Sequence, residues 1–142
     1  MLIDQISVFV ENKTGRLAEL MEVLNKNGID IRAMTIADTA DFGILRLIVD
    51  DTEKALKALH DDGCTAAVTK VIAFTIPDVS GALYNVMGKI NECNINVEYM
   101  YSVMGKTAGR ADIVIRVEDT DTAIKVLTEN GVQLICGKDL CR

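Results

Sequence analysis

The sequence predicts an α+β protein made of two ferredoxin-like βαββαβ units, each an antiparallel sheet with its helices on one face, packed as a tandem pair. Three observations lead there. The chain of 142 residues repeats itself: Ile6 to Leu17 returns as Ile72 to Leu83 at an offset of 66, and Val49-Asp50-Asp51-Thr52 returns as Val117-Glu118-Asp119-Thr120 at an offset of 68. Within each copy the apolar period alternates between two, as in a strand, and three-to-four, as in a helix. Gly and Asx residues stand where one period gives way to the other. A repeat this long means two copies of a small domain, not a solenoid of short units. We place the domains at residues 1–69 and 70–142.

In the first copy, Leu2 to Val10 is apolar and β-branched, with Ile6, Val8 and Val10 alternating, and reads as a strand. Asn12-Lys13-Thr14-Gly15 breaks it. Leu17, Leu20, Met21 and Leu24 then mark one helix face, and Asn27-Gly28 ends that helix. Ile29 to Ile36 and Gly43 to Val49 read as strands joined by a turn over 37–42. Asp50-Asp51-Thr52 caps a second helix, whose buried stripe is Ala55, Leu56 and Leu59 and which Gly63 stops. Cys64 to Val68 is a short fourth strand.

The second copy follows: strand Val71 to Ile76, turn Pro77 to Gly81, and a helix carrying Leu83, Val86, Met87 and Ile90. Strands Ile95 to Met104 and Ala111 to Val117 flank a hairpin loop over Gly105 to Gly109. A helix from Asp119 with Ala123, Ile124 and Leu127 ends at Gly131, and Val132 to Cys136 is the last strand. Right-handed crossovers put both helices of a unit on one face of its sheet. The join between copies is so short that the sheets are expected to abut, or to share or exchange an edge strand.

Composition excludes several functions. The formal net charge of −6 and an aromatic content of 4% argue against nucleic-acid binding, which needs a basic surface with stacking aromatics. Phe9 and Phe74 lie on the two first strands, where a core role is natural. No apolar run is long enough to span a bilayer. The N-terminus, with Asp4 and no basic stretch, does not read as a secretory signal, so a cytoplasmic location is expected. The four cysteines, Cys64, Cys93, Cys136 and Cys141, form no C-x-x-C pair and read as reduced packing or surface residues, although Cys136 and Cys141 are close enough in sequence to pair on oxidation. The single His60 falls late in a helix, where it suits the dipole better than a metal. Gly105-Lys106-Thr107 lacks the Gly five positions before its GK step that a phosphate loop requires; Met100 stands there. We find no nucleophile with a base and no metal cluster, so no catalytic residue, metal or cofactor is expected.

What remains is the repeated turn. In both copies a strand ends in Asn12 or Asp78, Gly15 or Gly81 follows three residues later, and a helix begins. Glycine permits the reversal, and the first N–H groups of the helix offer an anion site. A ligand carboxylate suits those donors, and Asn12 or Asp78 suits a ligand ammonium. The alternative is that Asn12 and Asp78 cap their helices. The residues alone leave both readings open.

Here the chain resembles the ACT domain family, in tandem and over its whole length. The residues that carry the resemblance are the turns Asn12-Lys13-Thr14-Gly15-Arg16-Leu17 and Asp78-Val79-Ser80-Gly81-Ala82-Leu83, with Asn27-Gly28-Ile29-Asp30-Ile31 and Asn94-Ile95-Asn96-Val97. The resemblance implies a regulatory module that binds amino acids, pairs side by side and holds its ligand where paired domains meet. It implies one ligand set of Asn12, Thr14, Gly15, Arg16, Leu17, Ile29 and Asp30, and a second of Asp78, Ser80, Gly81, Ala82, Leu83, Ile95 and Asn96. The family's turn often has Pro before the Gly, where this chain has Thr14 and Ser80. The expected partners are a small-molecule amino acid, an amino-acid metabolic enzyme and a second copy in a homodimer, with no nucleic acid and no membrane. A protein-interaction module without a ligand of its own is the competing reading.

Overall fold

Alternation along each first strand decides which side chains meet the helices. Ile6, Val8 and Val10 point one way and are buried, as are Ile72, Phe74 and Ile76 in the second copy. The structure is a computed structural model and describes residues 1–38 and 41–140. These fall into two units, one of residues 4–69 and one of residues 70–142 together with Met1–Ile3.

The first unit contains β1 (Ile3–Glu11), α1 (Arg16–Lys26), β2 (Ile31–Asp38), β3 (Phe42–Val49), α2 (Thr52–Asp61) and the start of β4 (Ala66–Pro77). Its strand order is β2-β3-β1-β4. β3 pairs antiparallel with both neighbours, Val8 opposite Leu45 and Met34 opposite Leu47. The second unit uses the rest of β4, then α3 (Ala82–Glu92), β5 (Val97–Val103), β6 (Arg110–Val117), α4 (Thr120–Glu129) and β7 (Gln133–Ile135), with a 3-10 turn at Gly137–Asp139. Its order is β5-β6-β4-β7, all antiparallel. Both units are the βαββαβ fold that the pattern predicts.

Each unit has its own core between the helices and one sheet face. Leu20, Leu24, Ala55 and Leu59 meet β1 and β3 in the first unit. Val86, Ile90, Ala123 and Leu127 meet β4 and β6 in the second. The second helix of each unit is capped by an Asp side chain: Asp51 accepts from the Lys54 N–H, and Asp119 from the Thr122 N–H. Glycines with positive φ close both of these helices, Gly63 at 82° and Gly131 at 72°.

Four details differ from the sequence reading. The two strands expected over 64–68 and 71–76 are one continuous strand, β4, because no Gly or Pro separates them and Thr69-Lys70 extends as readily as its neighbours. The last strand is only Gln133–Ile135, cut short by the 3-10 turn. Leu17 is 39% exposed and stands outside the core, one residue into α1, whose buried residues begin only at Leu20. Phe9 and Phe74 face opposite sides: Phe74 is fully buried, while Phe9, one residue out of phase with it, is 56% exposed. Among the described cysteines all are free, with Cys64 and Cys136 half-buried and Cys93 exposed. Cys141 lies outside the described residues.

Leu59 and Leu127 occupy equivalent places in the two cores, with 0% and 1% exposure. Replacing either by Ala leaves a cavity in a packed apolar core. Each change is expected to cost about 2–5 kcal/mol of unfolding free energy in urea titration.

Candidate functional site

The two turns have the same backbone. Gly15 sits at φ 87°, ψ −12° and Gly81 at φ 89°, ψ −12°, each as the N-cap of its helix. Neither helix has a side-chain cap. The capping role left open for Asn12 and Asp78 is therefore not the one they play. The helices that do carry caps are α2 and α4, so their absence at α1 and α3 is specific to these turns. Backbone bonds hold each loop: Arg16 N–H to the Lys13 carbonyl at 3.3 Å, and Ala82 N–H to the Val79 carbonyl at 3.2 Å. Each loop is also tied to its neighbouring hairpin, through Asn12 N–H to the Asp41 carbonyl at 3.1 Å and Asp78 N–H to the Gly109 carbonyl at 2.8 Å. A Cβ at Gly15 or Gly81 would meet no heavy atom within 4 Å, so the space beside each glycine is open.

The side chains separate the two turns. In the first, Lys13 pairs with Glu11 at 3.0 Å, and Arg16 pairs with Glu19 at 2.6 Å. Lys13 draws the Glu11 carboxyl below its usual range, and Glu19 raises the Arg16 guanidinium above its own. Arg16 is thereby turned along α1 toward its own helix. In the second turn Ala82 replaces Arg16 and Val79 replaces Lys13, and the Asp78 side chain takes no hydrogen bond or ion pair among the described residues. Thr14 and Ser80, where the family favours Pro, are both exposed.

The remaining expected residues lie elsewhere. Ile29 and Asp30 precede β2, whose first residue Ile31 pairs with Val49, while Glu11 beside the turn pairs with Phe42. The two sets thus stand at opposite ends of β3, roughly 20 Å or more apart at the rise of an extended strand. Ile95 and Asn96 stand the same way to Asp78, since Val97 pairs with Val117 and Pro77 with Arg110. Asp30 is also occupied. Its N–H donates to the Asp50 carboxylate at 2.9 Å, and its own carboxylate pairs with Arg32 at 3.1 Å. In place of these residues, Asp41 and Phe42 join Glu11, Asn12 and Lys13 around a depression of about 410 Å³. Sequence reasoning missed these two; the signal was the β1–β3 pairing, which brings the start of β3 to the end of β1.

Among the described residues no group of three His, Cys, Asp or Glu is placed to hold a metal ion, and no helix is long and apolar enough to cross a membrane. His60 spends its ring on the chain, with Nε2 2.8 Å from the Ala66 carbonyl.

The profile of a family described as an ACT domain pair matches residues 1–142. A crystallised protein from Bacteroides thetaiotaomicron is 44% identical, with a TM-score of 0.93, over 100% of this chain and 97% of that one. The regulatory subunit of aspartate kinase from Thermus thermophilus shares the fold at 15% identity and a TM-score of 0.63, over 89% of this chain and 90% of that one. The beta subunit of ADP-forming succinate–CoA ligase from Phenylobacterium zucineum is 32% identical over 66 residues, 45% of this chain. The chain spans only 16% of that curated relative's length, too little to carry its activity across.

The bond network at Asp30 gives a pH prediction. The Asp50 carboxylate accepts from the N–H groups of Asp30 and Asp51, and the first of these bonds is the main cause that holds its pKa below the ordinary 3.8. A carboxyl depressed in the folded state adds stability that is present above the unfolded pKa and is lost as pH falls through the folded one. The melting temperature of the wild type is therefore expected to exceed that of Asp50→Asn at neutral pH, and the gap to close below about pH 4.

Proposed function

Since the chain belongs to the ACT domain family, as an ACT domain pair, we propose that it is a non-catalytic regulator that binds a free amino acid at its glycine turns. One observation carries this reading: two equivalent helices begin at a left-handed glycine with no side-chain cap, beside open space and an Asx side chain. The uncapped amides and the positive end of the helix dipole receive the ligand carboxylate. The Asx oxygen receives the ammonium.

The second turn is the better site. Asp78 supplies a full negative charge for an ammonium and is not engaged by a neighbour among the described residues. The first turn has satisfied its charges internally through Lys13–Glu11 and Arg16–Glu19. It serves the fold and, in this reading, an interaction surface. Phe9 and Phe42, 56% and 51% exposed, lie on neighbouring strands there and suit cover by a second copy in a homodimer. Pairing of ACT domains between copies would also bring the start of a second strand, where Asn96 lies, to a ligand that the turn alone holds from one side.

The shared fold with an aspartate kinase regulatory subunit supports a further step: a cytoplasmic chain that responds to an amino acid and acts on an amino-acid biosynthetic enzyme. Ligand binding regulates such a partner only through different affinities for two arrangements of the domains.

A thermal-shift screen against the proteinogenic amino acids tests the reading. A ligand at about 100 times its Kd adds about 2.7 kcal/mol, a rise of several degrees. Gly81→Val, which forces a β-branched residue into the left-handed region, is expected to abolish the shift, and Gly15→Val to leave most of it. A shift that survives Gly81→Val would remove the ligand from this turn. No shift with any amino acid would favour the interaction module.

A further inference from the structure

On the sheet face turned away from the helices, the second unit carries a polar row at positions where the first unit is apolar. Asp112 of β6 and Gln133 of β7 both stand opposite Thr75 of β4. The equivalent cross-strand pair in the first unit is Phe9 opposite Ile44. At the position of Arg110 the first unit has Phe42. The duplication thus kept the core phase of these strands and exchanged three apolar residues for Thr75, Arg110 and Asp112.

Those residues line a cavity of about 430 Å³, with Lys106 of the β5–β6 loop, Gln133, and Asp139 of the 3-10 turn among its walls. That volume suits a small molecule. Arg110 is braced in it: Nε donates to Thr75 Oγ1 at 3.2 Å, and Nη2 to the Thr75 carbonyl at 3.0 Å. These bonds fix the guanidinium and leave further N–H groups of the fork unused among the described residues. Asp112 is 7% exposed, and its carboxylate has no hydrogen bond or ion pair among the described residues. The β5–β6 loop passes over it at Gly105, where a Cβ would stand 3.2 Å from the Arg110 carbonyl oxygen and 3.5 Å from the Asp112 carboxyl. The Asp112 side chain thus opens onto the cavity with its hydrogen-bonding capacity uncommitted within the described fold, beside a guanidinium that is held in place and bonded elsewhere.

We propose that this cavity is a second binding site, for a small zwitterion whose ammonium pairs with Asp112 and whose carboxylate pairs with Arg110 and Lys106. The wall offers both signs of charge, and a ligand with both satisfies it without a net charge change. The site is separate from the glycine turns and does not rest on their occupancy.

Backbone amide NMR of the full chain tests this site by site. The probes are the proteinogenic amino acids and β-alanine, each added singly, with ethylamine and acetate as carriers of one charge only. At least one zwitterion is expected to shift the amides of Arg110, Asp112 and Gln133, in the wild type and in Gly81→Val alike. Asp112→Asn, which keeps the shape and removes the charge, is expected to weaken that titration by about tenfold or more, since a charge-assisted bond becomes a neutral one. Neither single-charge probe is expected to match the zwitterion. Without ligand, Asp112→Asn is expected to melt no lower than the wild type, because the carboxylate makes no hydrogen bond or ion pair among the described residues for the change to break. If no zwitterion moves these amides, if Asp112→Asn leaves the titration unchanged, or if the unliganded variant melts clearly lower, the proposal is overturned. Shifts confined to Gly81 and its neighbours would support the turn and reject the cavity; the reverse would do the opposite.

Discussion

In each unit the first strand commits three side chains to the helices, Ile6, Val8 and Val10 or Ile72, Phe74 and Ile76, and that choice of face fixes where every other group can go. A pleated strand has two faces and a period of two, so a slip of one residue would exchange core for surface along its whole length. The partners inherit the phase. Leu45 and Leu47 of β3 and Ile113 and Ile115 of β6 join the cores, and Leu24, Leu59, Ile90 and Leu127 close them from the helices. Units of this size bury little, so the apolar face of each sheet cannot be spared.

Once one face is committed, the other is free to diverge, and the two units have used that freedom differently. The first keeps Phe9 and Phe42 there; the second carries Thr75, Arg110 and Asp112. The turns diverge within the same constraint. The glycine geometry is common to both, but Arg16 and Lys13 have found partners in the first unit, while Ala82 and Val79 leave the Asp78 side chain without a partner among the described residues in the second. A shared backbone with altered side chains lets the two turns differ in charge and pairing without cost to the fold.

The fold was legible because its signals are local. Alternation in Ile6-Ser7-Val8, spacing in Leu20-Met21-Leu24 and Asp51 before a helix each need only their near neighbours to be read. The turn glycines were legible for the same reason. What could not be read depended on pairing. That Asp41 and Phe42 adjoin the first turn follows from β3 lying beside β1. That Asp112, Thr75 and Gln133 stand in one row follows from three strands in register. That Ile29 and Asp30 stand far from Asn12 follows from the length of β3. The offset of 66 already sets Phe74 against Val8 and Phe9 against Thr75, and only burial shows which phase faces the core.

β4 runs unbroken from Ala66 to Pro77 and contributes to both units, while Met1–Ile3 group with the second unit although β1 serves the first. Neither half can therefore be excised cleanly. A cut at Thr69-Lys70 would fall inside a hydrogen-bonded strand, where a protease finds no extended loop to enter. A fragment of residues 70–142 would leave behind Ile3, whose side chain lies 3.5 Å from where a Cβ on Gly137 would stand. The repeat divides the sequence into two copies, but the strand that crosses their boundary leaves no point between them at which the backbone is free of a sheet.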